Sequence, residues 1–371
     1  MLQDTQQLVV GSRIAEELRA VARERLVRPS RVPAPETTDV VRPRTEPEAA
    51  ESEAIIDTHD LRRTFRARGG EVEAVRGVDL RVRAGQIFGF LGPNGAGKTT
   101  TLRMLATLLV PSAGEATVAG ADLRREPATV RERIGYVPQG GSTDPAETGR
   151  RELVIQGRLY GMSGHEAADR AGEVLAALDL ESAADRPTGT WSGGMRRRLD
   201  IGLGIVHRPR LLFLDEPTTG LDPQARARMW DEIRRLRASG TTVFLTTHYL
   251  EEADALADRL AIIDHGRIVA DGTADELKRQ VAGDVVTLGV DGTADAVLAT
   301  VRGQPFVREA SADDGVIRLY VDRGDAAVPS LLRLLDGVGL APQTITLARP
   351  SLDDVFLRQT GRSLREDQPA A

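Results

Sequence analysis

Short apolar runs alternate with longer amphipathic segments between about Ile55 and Gln280. The clearest, in chain order, are GQIFGFLG (85–92), TTLRMLATLL (100–109), RLLFLDEP (210–217), QARARMWDEIRRLRASG (224–240) and TTVFLTTH (241–248). Continuously apolar strands separated by helices are typical of a parallel sheet that is covered on both faces. The pattern therefore predicts an α/β domain over residues 55–282. The segment LAIIDHGRIVADG (260–272) predicts a hairpin, because two apolar runs flank the turn residues Asp264–Gly266.

The pattern of apolar and polar positions changes after Gly283, where shorter segments predict the order strand, helix, strand, strand, helix, strand. They are DVVTLGV (284–290), TADAVLATVR (293–302), PFVREA (305–310), GVIRLYV (315–321), AAVPSLLRLLDG (326–337) and QTITLAR (343–349). This order predicts a small α+β, ferredoxin-like domain over residues 283–371. SLDDVFLRQTG (351–361) has helical spacing and predicts a short terminal helix.

Residues 1–54 differ from the rest of the chain. Ile14, Leu18 and Val21 follow helical spacing, but five prolines then interrupt a stretch rich in arginine and glutamate. A segment of this composition buries little apolar surface. We expect a mostly disordered N-terminal extension with one transient helix; a helix that docks on a partner or a membrane surface is the alternative.

The composition excludes several classes of protein. The 371 residues carry 55 acidic and 49 basic side chains, a net charge of −6, so no excess of bases favours nucleic acid as a partner. The chain has no cysteine, which excludes disulfides and cysteine-ligated zinc. No apolar stretch approaches the roughly 18 residues that cross a bilayer. We therefore expect the protein in the cytosol or docked on the cytosolic face of a membrane.

The segment GPNGAGKTT predicts a phosphate-binding loop. It fits the pattern G-x-x-x-x-G-K-[ST] and lies between an apolar strand and a helix, as that motif requires. Its residues are Gly92, Pro93, Asn94, Gly95, Ala96, Gly97, Lys98, Thr99 and Thr100. Backbone N–H groups and Lys98 would hold the phosphates of ATP, and the Thr99 hydroxyl would ligate Mg²⁺. A glycine-rich turn without function is the alternative, which the flanking strand and helix disfavour.

Polar side chains follow three other predicted strands. Asp215 and Glu216 come directly after Leu211–Leu214, His248 follows the next strand, and Gln139 follows the strand-like run in GYVPQG. Ligands of open α/β sheets bind at the carboxyl ends of the strands, so these residues should meet Lys98 at one edge. Asp215 would hold Mg²⁺, Glu216 would orient and polarise the attacking water, and His248 would contact the γ-phosphate. Gln139 would sense the metal and the γ-phosphate.

The segment TWSGGMRRRLD (190–200) predicts a second anion site. Ser192 occupies an N-cap position, Gly193 and Gly194 permit close backbone approach, and an amphipathic helix follows. The segment offers no base or metal ligand before Asp200. Arginines 196–198 are expected on a solvent-exposed face, because runs of charge are usually exposed.

Taken together, these motifs resemble the ATP-binding subunits of ABC transporters. GPNGAGKTT, Gln139, WSGGM, LLFLDEP, TGLDP and His248 occur in that family's order over roughly residues 55–280. The resemblance implies a P-loop NTPase (RecA-like) core with a helical subdomain at about 140–195. It also implies a head-to-tail dimer, in which Ser192–Gly194 and Asp222 contact the ATP held by the other subunit. Phe65, upstream of the loop, would stack on adenine.

The C-terminal segment RPSLDDVFLRQTGR narrows the resemblance to the daunorubicin-resistance type, as does SGGMRRRLDI. This type implies an ATPase on the cytoplasmic face of the membrane that drives efflux of a small hydrophobic compound through a separate integral membrane permease. The first alternative is an ABC ATPase that acts on ribosomes or DNA; such chains usually carry two cassettes or a long coiled coil. The second is a regulatory module that senses ATP without turnover, which Glu216 and His248 disfavour.

Overall fold

The computed structural model describes residues 54–67, 70–281, 283–290, 294–313 and 316–361. The N-terminal extension expected over residues 1–54 lies outside this part of the chain, apart from Ala54. Within the described residues, no helix has the length and apolar character needed to cross a membrane.

The described residues form strands and helices throughout. The strands are β1 (Ala54–Ala67), β2 (Gly70–Arg83), β3 (Ile87–Leu91), β4 (Ala113–Val118), β5 (Ala121–Asp122), β6 (Ile134–Val137), β7 (Leu211–Asp215), β8 (Thr242–Thr247), β9 (Arg259–Asp264), β10 (Arg267–Gly272), β11 (Asp284–Gly289), β12 (Val307–Asp313), β13 (Val316–Val321) and β14 (Thr344–Ala348). The helices are α1 (Lys98–Leu105), α2 (Pro127–Arg133), α3 (Gly149–Leu159), α4 (Gly164–Ala177), α5 (Gly193–Ile205), α6 (Pro223–Ala238), α7 (Leu250–Leu256), α8 (Ala274–Gln280), α9 (Ala294–Val301), α10 (Gly324–Gly337) and α11 (Leu352–Thr360).

The central sheet has the strand order β10-β9-β3-β8-β7-β6. Strands β9, β3, β8, β7 and β6 are parallel to one another, and β10 pairs antiparallel at the edge. Every residue of β3, β7 and β8 is buried, which is why these strands read as continuous apolar runs. Phe244 lies at the centre of the core, with the rings of Phe88, Phe90 and Phe213 at 5.5–5.6 Å from its own.

Strands β9 and β10 form the predicted hairpin. Asp264 pairs with Arg267, and the two turn residues His265 and Gly266 have φ values of 45° and 77°. Two successive residues with positive φ twist a tight turn in the direction that suits antiparallel strands.

A second, antiparallel sheet of order β2-β1-β4-β5 packs beside the central sheet. Val78, Leu80 and Val82 alternate on the buried face of β2 and join the cluster that contains the phenylalanine core. The sheet therefore covers one side of the central sheet. The apolar and polar pattern did not predict it.

Helices α3 and α4 lie between β6 and α5 and have a hydrophobic core of their own. Leu153, Val174, Leu175 and Trp191 are buried there with Leu199 of α5. The capping box of Ser163 and Glu166 at the start of α4 fixes where that helix begins. The same helix α5 thus packs on this helical layer and on the central sheet.

The C-terminal strands have the order β12-β13-β11-β14, and all neighbours are antiparallel. With α9 and α10 they give the strand–helix order expected from the pattern. Terminal helix α11 packs back on the central sheet, since Phe356 is fully buried in one cluster with Leu91 and Leu260. Leu91 is the last residue of β3, directly before the glycine-rich loop.

Candidate ATP-binding site

The glycine-rich loop connects β3 to α1, and its backbone leaves no room for larger side chains at two positions. A Cβ atom on Gly92 would lie 2.3 Å from the carbonyl oxygen of Ile263. Gly97 has a φ of 108°, and a Cβ atom there would lie 2.6 Å from the Ala74 carbonyl oxygen. Glycine is therefore required at both ends of the loop. This tight turn aims the N-terminus of α1 at the loop's interior, as an anion cradle needs.

Lys98 is the first residue of α1, and its side chain is buried. Its ammonium donates hydrogen bonds to the carbonyl oxygens of Gly92 (2.8 Å) and Pro93 (3.1 Å). Burial lowers the pKa of Lys98, although the nearby carboxylate of Glu216 opposes that shift. The loop thus surrounds a cation at the point where phosphates would enter.

Asp215 is the last residue of β7 and is 1% exposed. Its Oδ1 accepts hydrogen bonds from the hydroxyls of Thr246 (2.7 Å) and Thr99 (3.0 Å). Its Oδ2 is buried without a hydrogen-bond partner among the residues described. Burial raises the pKa of Asp215. A buried oxygen without a partner beside the Thr99 hydroxyl fits an oxygen-ligated divalent cation such as Mg²⁺.

The carboxylate of Glu216 lies among four polar side chains. Its Oε1 is 3.4 Å from the Lys98 ammonium, and its Oε2 accepts hydrogen bonds from Gln139 Nε2 (2.8 Å) and Thr219 Oγ1 (3.2 Å). Nδ1 of His248 is 3.2 Å from the same Oε2. Burial disfavours the charged form of Glu216, but contact with His248 and the charge of Lys98 outweigh burial, so the pKa of Glu216 lies below its usual value.

The structure therefore brings together side chains that the sequence places far apart. Lys98 and Thr99 follow β3, Gln139 follows β6, Asp215 and Glu216 follow β7, and His248 follows β8. We call these six residues the catalytic edge. All lie at the carboxyl ends of neighbouring parallel strands, as expected for ligand sites in this kind of sheet.

A separate pocket lies between the starts of α5 and α6. Ser192 caps α5 by accepting a hydrogen bond from the Met195 N–H (3.3 Å), and Asp222 caps α6 by accepting one from Ala225 (2.8 Å). The pocket, which we call the SGG pocket, is lined by Ser192, Gly193, Gly194, Met195, Arg198, Gly220, Leu221, Asp222, Gln224, Ala225, Arg228 and Met229. None of the catalytic-edge residues belongs to this lining. Two helix N-termini and two arginines suit it to an anion.

Phe65 lies on β1 opposite Val72 of β2. Its ring is half-buried, with the Arg63 guanidinium 4.6 Å from the ring centroid. Strand β2 also carries Ala74, whose carbonyl oxygen borders the glycine-rich loop at Gly97. Phe65 thus lies near the loop along the sheet, and its stacking on adenine stays a prediction.

The expectation that arginines 196–198 form a solvent-exposed face is wrong for Arg197. This side chain is 9% exposed and binds backbone carbonyls below the catalytic edge. The helix turns Arg197 towards the sheet, and a guanidinium can be buried where carbonyl oxygens satisfy its donors. Sequence reasoning also missed Thr246, which binds both Asp215 and the backbone of Glu216. Its signal was a polar residue at a fully buried strand position.

Comparisons with known proteins agree with this geometry. A family model described as ABC transporter matches residues 75–219, and a model described as the C-terminal domain of DrrA1-3-like ATP-binding proteins matches residues 272–360. A solved structure of the ATP-binding subunit of an ABC transporter is 29% identical, with a TM-score of 0.54, and covers 61% of this chain and 92% of that one. Fold and site define a P-loop ATPase of the ABC class.

Curated relatives narrow the assignment. The daunorubicin resistance ATP-binding protein DrrA2 of Streptomyces coeruleorubidus is 47% identical over 300 residues, which cover 79% of this chain and 92% of that protein. The doxorubicin resistance ATP-binding protein DrrA of Mycobacterium tuberculosis (strain H37Rv) is 44% identical over 297 residues, covering 78% and 89%. The chain belongs to the family of DrrA-type ATP-binding subunits of ABC transporters. The predicted family and the predicted α/β P-loop fold are thereby confirmed. The matched C-terminal model begins at residue 272, before the predicted boundary at 283.

Proposed function

We propose that this protein hydrolyses MgATP between two head-to-tail copies of itself and thereby drives efflux of a small hydrophobic compound through a separate membrane permease. The observation that carries the proposal is the division of the chain's phosphate chemistry. One face has the cradle, the cation and the carboxylates of Asp215 and Glu216, and the other has helix starts whose lining carboxylate, Asp222, is engaged in capping α6.

ATP and Mg²⁺ would be held by the catalytic edge. Lys98 and the loop's N–H groups would bind the β- and γ-phosphates. Thr99, Gln139 and Asp215 would hold Mg²⁺, which supplies charge neutralisation of the phosphates when bound. The buried Asp215 Oδ2 and the adjacent Thr99 hydroxyl support this assignment.

Glu216 would orient and deprotonate the attacking water. Its pKa lies below the usual value, so the carboxylate is ionised at neutral pH and can accept a proton. His248 and Gln139 fix the direction of Oε2. Phosphoryl transfer depends on positioning more than on covalent chemistry, which suits a carboxylate held by four neighbours.

The SGG pocket would close the nucleotide of the second copy. Ser192 and Asp222 are exposed, and both stand at the starts of helices of 13 and 16 residues. Their N–H groups and dipoles favour the charge on a γ-phosphate. A dimer with a two-fold axis would place each pocket opposite the partner's cradle and form two equal sites.

The transport role is proposed from the family. Relatives at 44–47% identity over most of the chain carry names of daunorubicin or doxorubicin resistance proteins. We infer a partner of the integral membrane permease type, a position on the cytoplasmic face of the membrane, and a small hydrophobic drug or antibiotic as cargo. The net charge of −6 supports a protein rather than a nucleic acid as partner.

Exchange of Ser192→Arg tests the shared site. The arginine would fill the SGG pocket of each copy, so we expect MgATP affinity to change less than about threefold while turnover falls roughly a hundredfold. Lys98→Ala should be inactive because its own glycine-rich loop lacks the cation that binds the phosphates. A 1:1 mixture of the two variants should recover about a quarter of wild-type activity, since half the dimers then contain one intact site of two. No recovery, or full turnover by Ser192→Arg, would rule out the shared site.

Transport is tested in the organism's own membranes. Inside-out vesicles from cells with the wild-type chain should accumulate daunorubicin when ATP is added, and vesicles from cells with chromosomal Glu216→Gln should not. Equal ATP-dependent accumulation in both preparations would exclude this chain as the energy source for that cargo.

A further inference from the structure

Arg197 is a buried cation that the reaction described above does not use. It lies in the second turn of α5, and burial lowers its pKa. Its guanidinium donates to four backbone carbonyl oxygens, those of Pro138 (2.7 Å), Pro217 (2.9 Å), Asp215 (3.1 Å) and Glu216 (3.3 Å). Three of the four lie in the two loops that carry Gln139 and Glu216, and the fourth, Asp215, is the last residue of β7.

Three of these bonds, to the carbonyls of Asp215, Glu216 and Pro217, stabilise an unusual backbone conformation at Glu216. Glu216 has a φ of 46°, in the left-handed region that a residue with a side chain rarely adopts. Such a conformation persists only where the surroundings fix it. The Glu216 N–H donates to the Thr246 carbonyl oxygen (3.1 Å) and hydroxyl (3.0 Å), while Arg197 binds the carbonyls on the opposite side. The peptide of the proposed base is thus held from both directions.

The remaining contacts reach the loop that orients the same carboxylate. Pro138, bound by Arg197, directly precedes Gln139, whose amide donates to Glu216 Oε2. Asp200, one turn further along α5, lies 3.8 Å from Arg197 and accepts hydrogen bonds from the N–H (2.7 Å) and hydroxyl (3.1 Å) of Ser142. One face of α5 therefore fixes both loops that determine where the Glu216 carboxylate points.

A purely structural role is the competing explanation, and the chain offers a matched example of one. Arg170 of α4 also donates to two backbone carbonyls, Val206 (2.9 Å) and Ile205 (3.1 Å), and has a side chain that is 19% exposed. Its partners lie at the C-terminal end of α5, away from the catalytic edge. Arg170 therefore provides a control for loss of a carbonyl-bound arginine as such.

We propose that Arg197 is a positioning residue that fixes Glu216 for water attack and ties it to the helix that Ser192 caps. The inference rests on the proposed function, because it assigns Glu216 the role of base. A guanidinium suits this task since its fixed fork of five donors reaches several carbonyls at once. A lysine ammonium has three donors on one atom and reaches fewer.

The test compares Arg197→Met, Arg197→Lys and Arg170→Met in the full-length chain. We expect Arg197→Met to lower kcat about a hundredfold, as a misplacement near 1 Å can, with MgATP affinity within about threefold of wild type. Arg197→Lys should also lower kcat, but by less than Arg197→Met does, because the ammonium still reaches some of the carbonyls. Arg170→Met should lower the melting temperature about as much as Arg197→Met does, yet leave kcat within about threefold of the wild-type value.

A double-variant cycle separates positioning from general damage. If Arg197 acts through Glu216, adding Arg197→Met to Glu216→Gln should slow residual turnover no more than about threefold, because the group being positioned is already gone. Losses that multiply would overturn the proposal, as would a kcat for Arg197→Met within threefold of wild type or a matching loss in Arg170→Met. If Arg197→Met does not fold, the same comparison of kcat with MgATP affinity is made on Arg197→Lys. A wild-type chain without turnover would instead overturn the proposed function together with this inference.

Discussion

The catalytic edge and the SGG pocket both suit phosphate, but they are built in opposite ways. Asp215 and Glu216 are 1% and 6% exposed, and their neighbours Lys98, Thr246 and His248 contact them directly. The SGG pocket is open, and Ser192 and Asp222 at its rim are exposed. Charge in the first region is paired and buried, whereas the second offers helix N-termini and arginines.

The difference supports the proposal that each region is half of a site. A base and a metal-binding carboxylate must be held rigidly and shielded from bulk solvent, because their protonation states depend on burial and neighbours. A surface that closes on a nucleotide bound elsewhere must stay accessible until the partner arrives. Burial of one half and exposure of the other are therefore what a shared site requires.

Removing the carboxylate of Glu216 should have the largest effect. Glu216→Gln keeps the shape, and its amide oxygen can still accept the hydrogen bonds that Gln139 and Thr219 donate. The amide cannot take a proton, so we expect kcat to fall about 10²- to 10⁴-fold. MgATP should still bind, and slow hydrolysis should leave a stable nucleotide-bound dimer. Steady-state turnover, equilibrium binding and size-exclusion chromatography with MgATP measure these outcomes.

Glu232→Gln is the matched control, since Glu232 of α6 is also buried but pairs with Arg235 outside the site. Its turnover should match that of the wild type. Rapid steady-state hydrolysis by Glu216→Gln would remove Glu216 from the role of base, while loss in both variants would point to general damage.

Loss of His248 should have a smaller effect, because it orients the base without replacing it. His248→Ala removes the contact 3.2 Å from Glu216 Oε2, while Gln139 and Thr219 still bind that oxygen. We expect kcat to fall about 10- to 100-fold, or ~1.4–2.7 kcal/mol, with little change in MgATP affinity. His165→Ala, an exposed position on α4, should leave turnover unchanged. An equal loss of affinity and kcat for His248→Ala would assign His248 to nucleotide binding instead.

Much of the catalytic edge could be predicted because its residues follow apolar strands. Strands buried on both faces give continuous apolar runs, and parallel strands carry whatever follows them to one edge. The segments ending at Leu91, Leu214 and Thr247 therefore predict that Lys98, Glu216 and His248 lie together at one edge of the sheet. The split β-α-β-β-α-β order after Gly283 was equally visible, since its strands and helices are short and distinct.

Features that depend on tertiary contacts could not be predicted. Strands β1 and β2 have several register shifts, which interrupt the alternation that a strand needs to be recognised. Arg197 lies in a run of three arginines, and only the docking of α5 on the sheet decides which of them is buried. The left-handed backbone of Glu216 likewise depends on Thr246 and Arg197, which lie elsewhere in the sequence.

The smallest expected effect is that of removing the Ser192 hydroxyl. Ser163, which caps a helix in the same way, provides the matched control. Ser192 accepts from the N–H of Met195, and Ser163 accepts from that of Glu166 in the helical layer. Replacing either serine by alanine removes one cap hydrogen bond and should cost about 1 kcal/mol of stability. Turnover should fall roughly threefold to tenfold for Ser192→Ala, within the range of one lost hydrogen bond, and stay unchanged for Ser163→Ala. Thermal melts and steady-state kinetics on both variants measure the pair. Equal turnover in the two would mean that the Ser192 hydroxyl caps α5 and does nothing for the partner's nucleotide, leaving the backbone N–H groups and the arginines of the SGG pocket as its anion-binding donors.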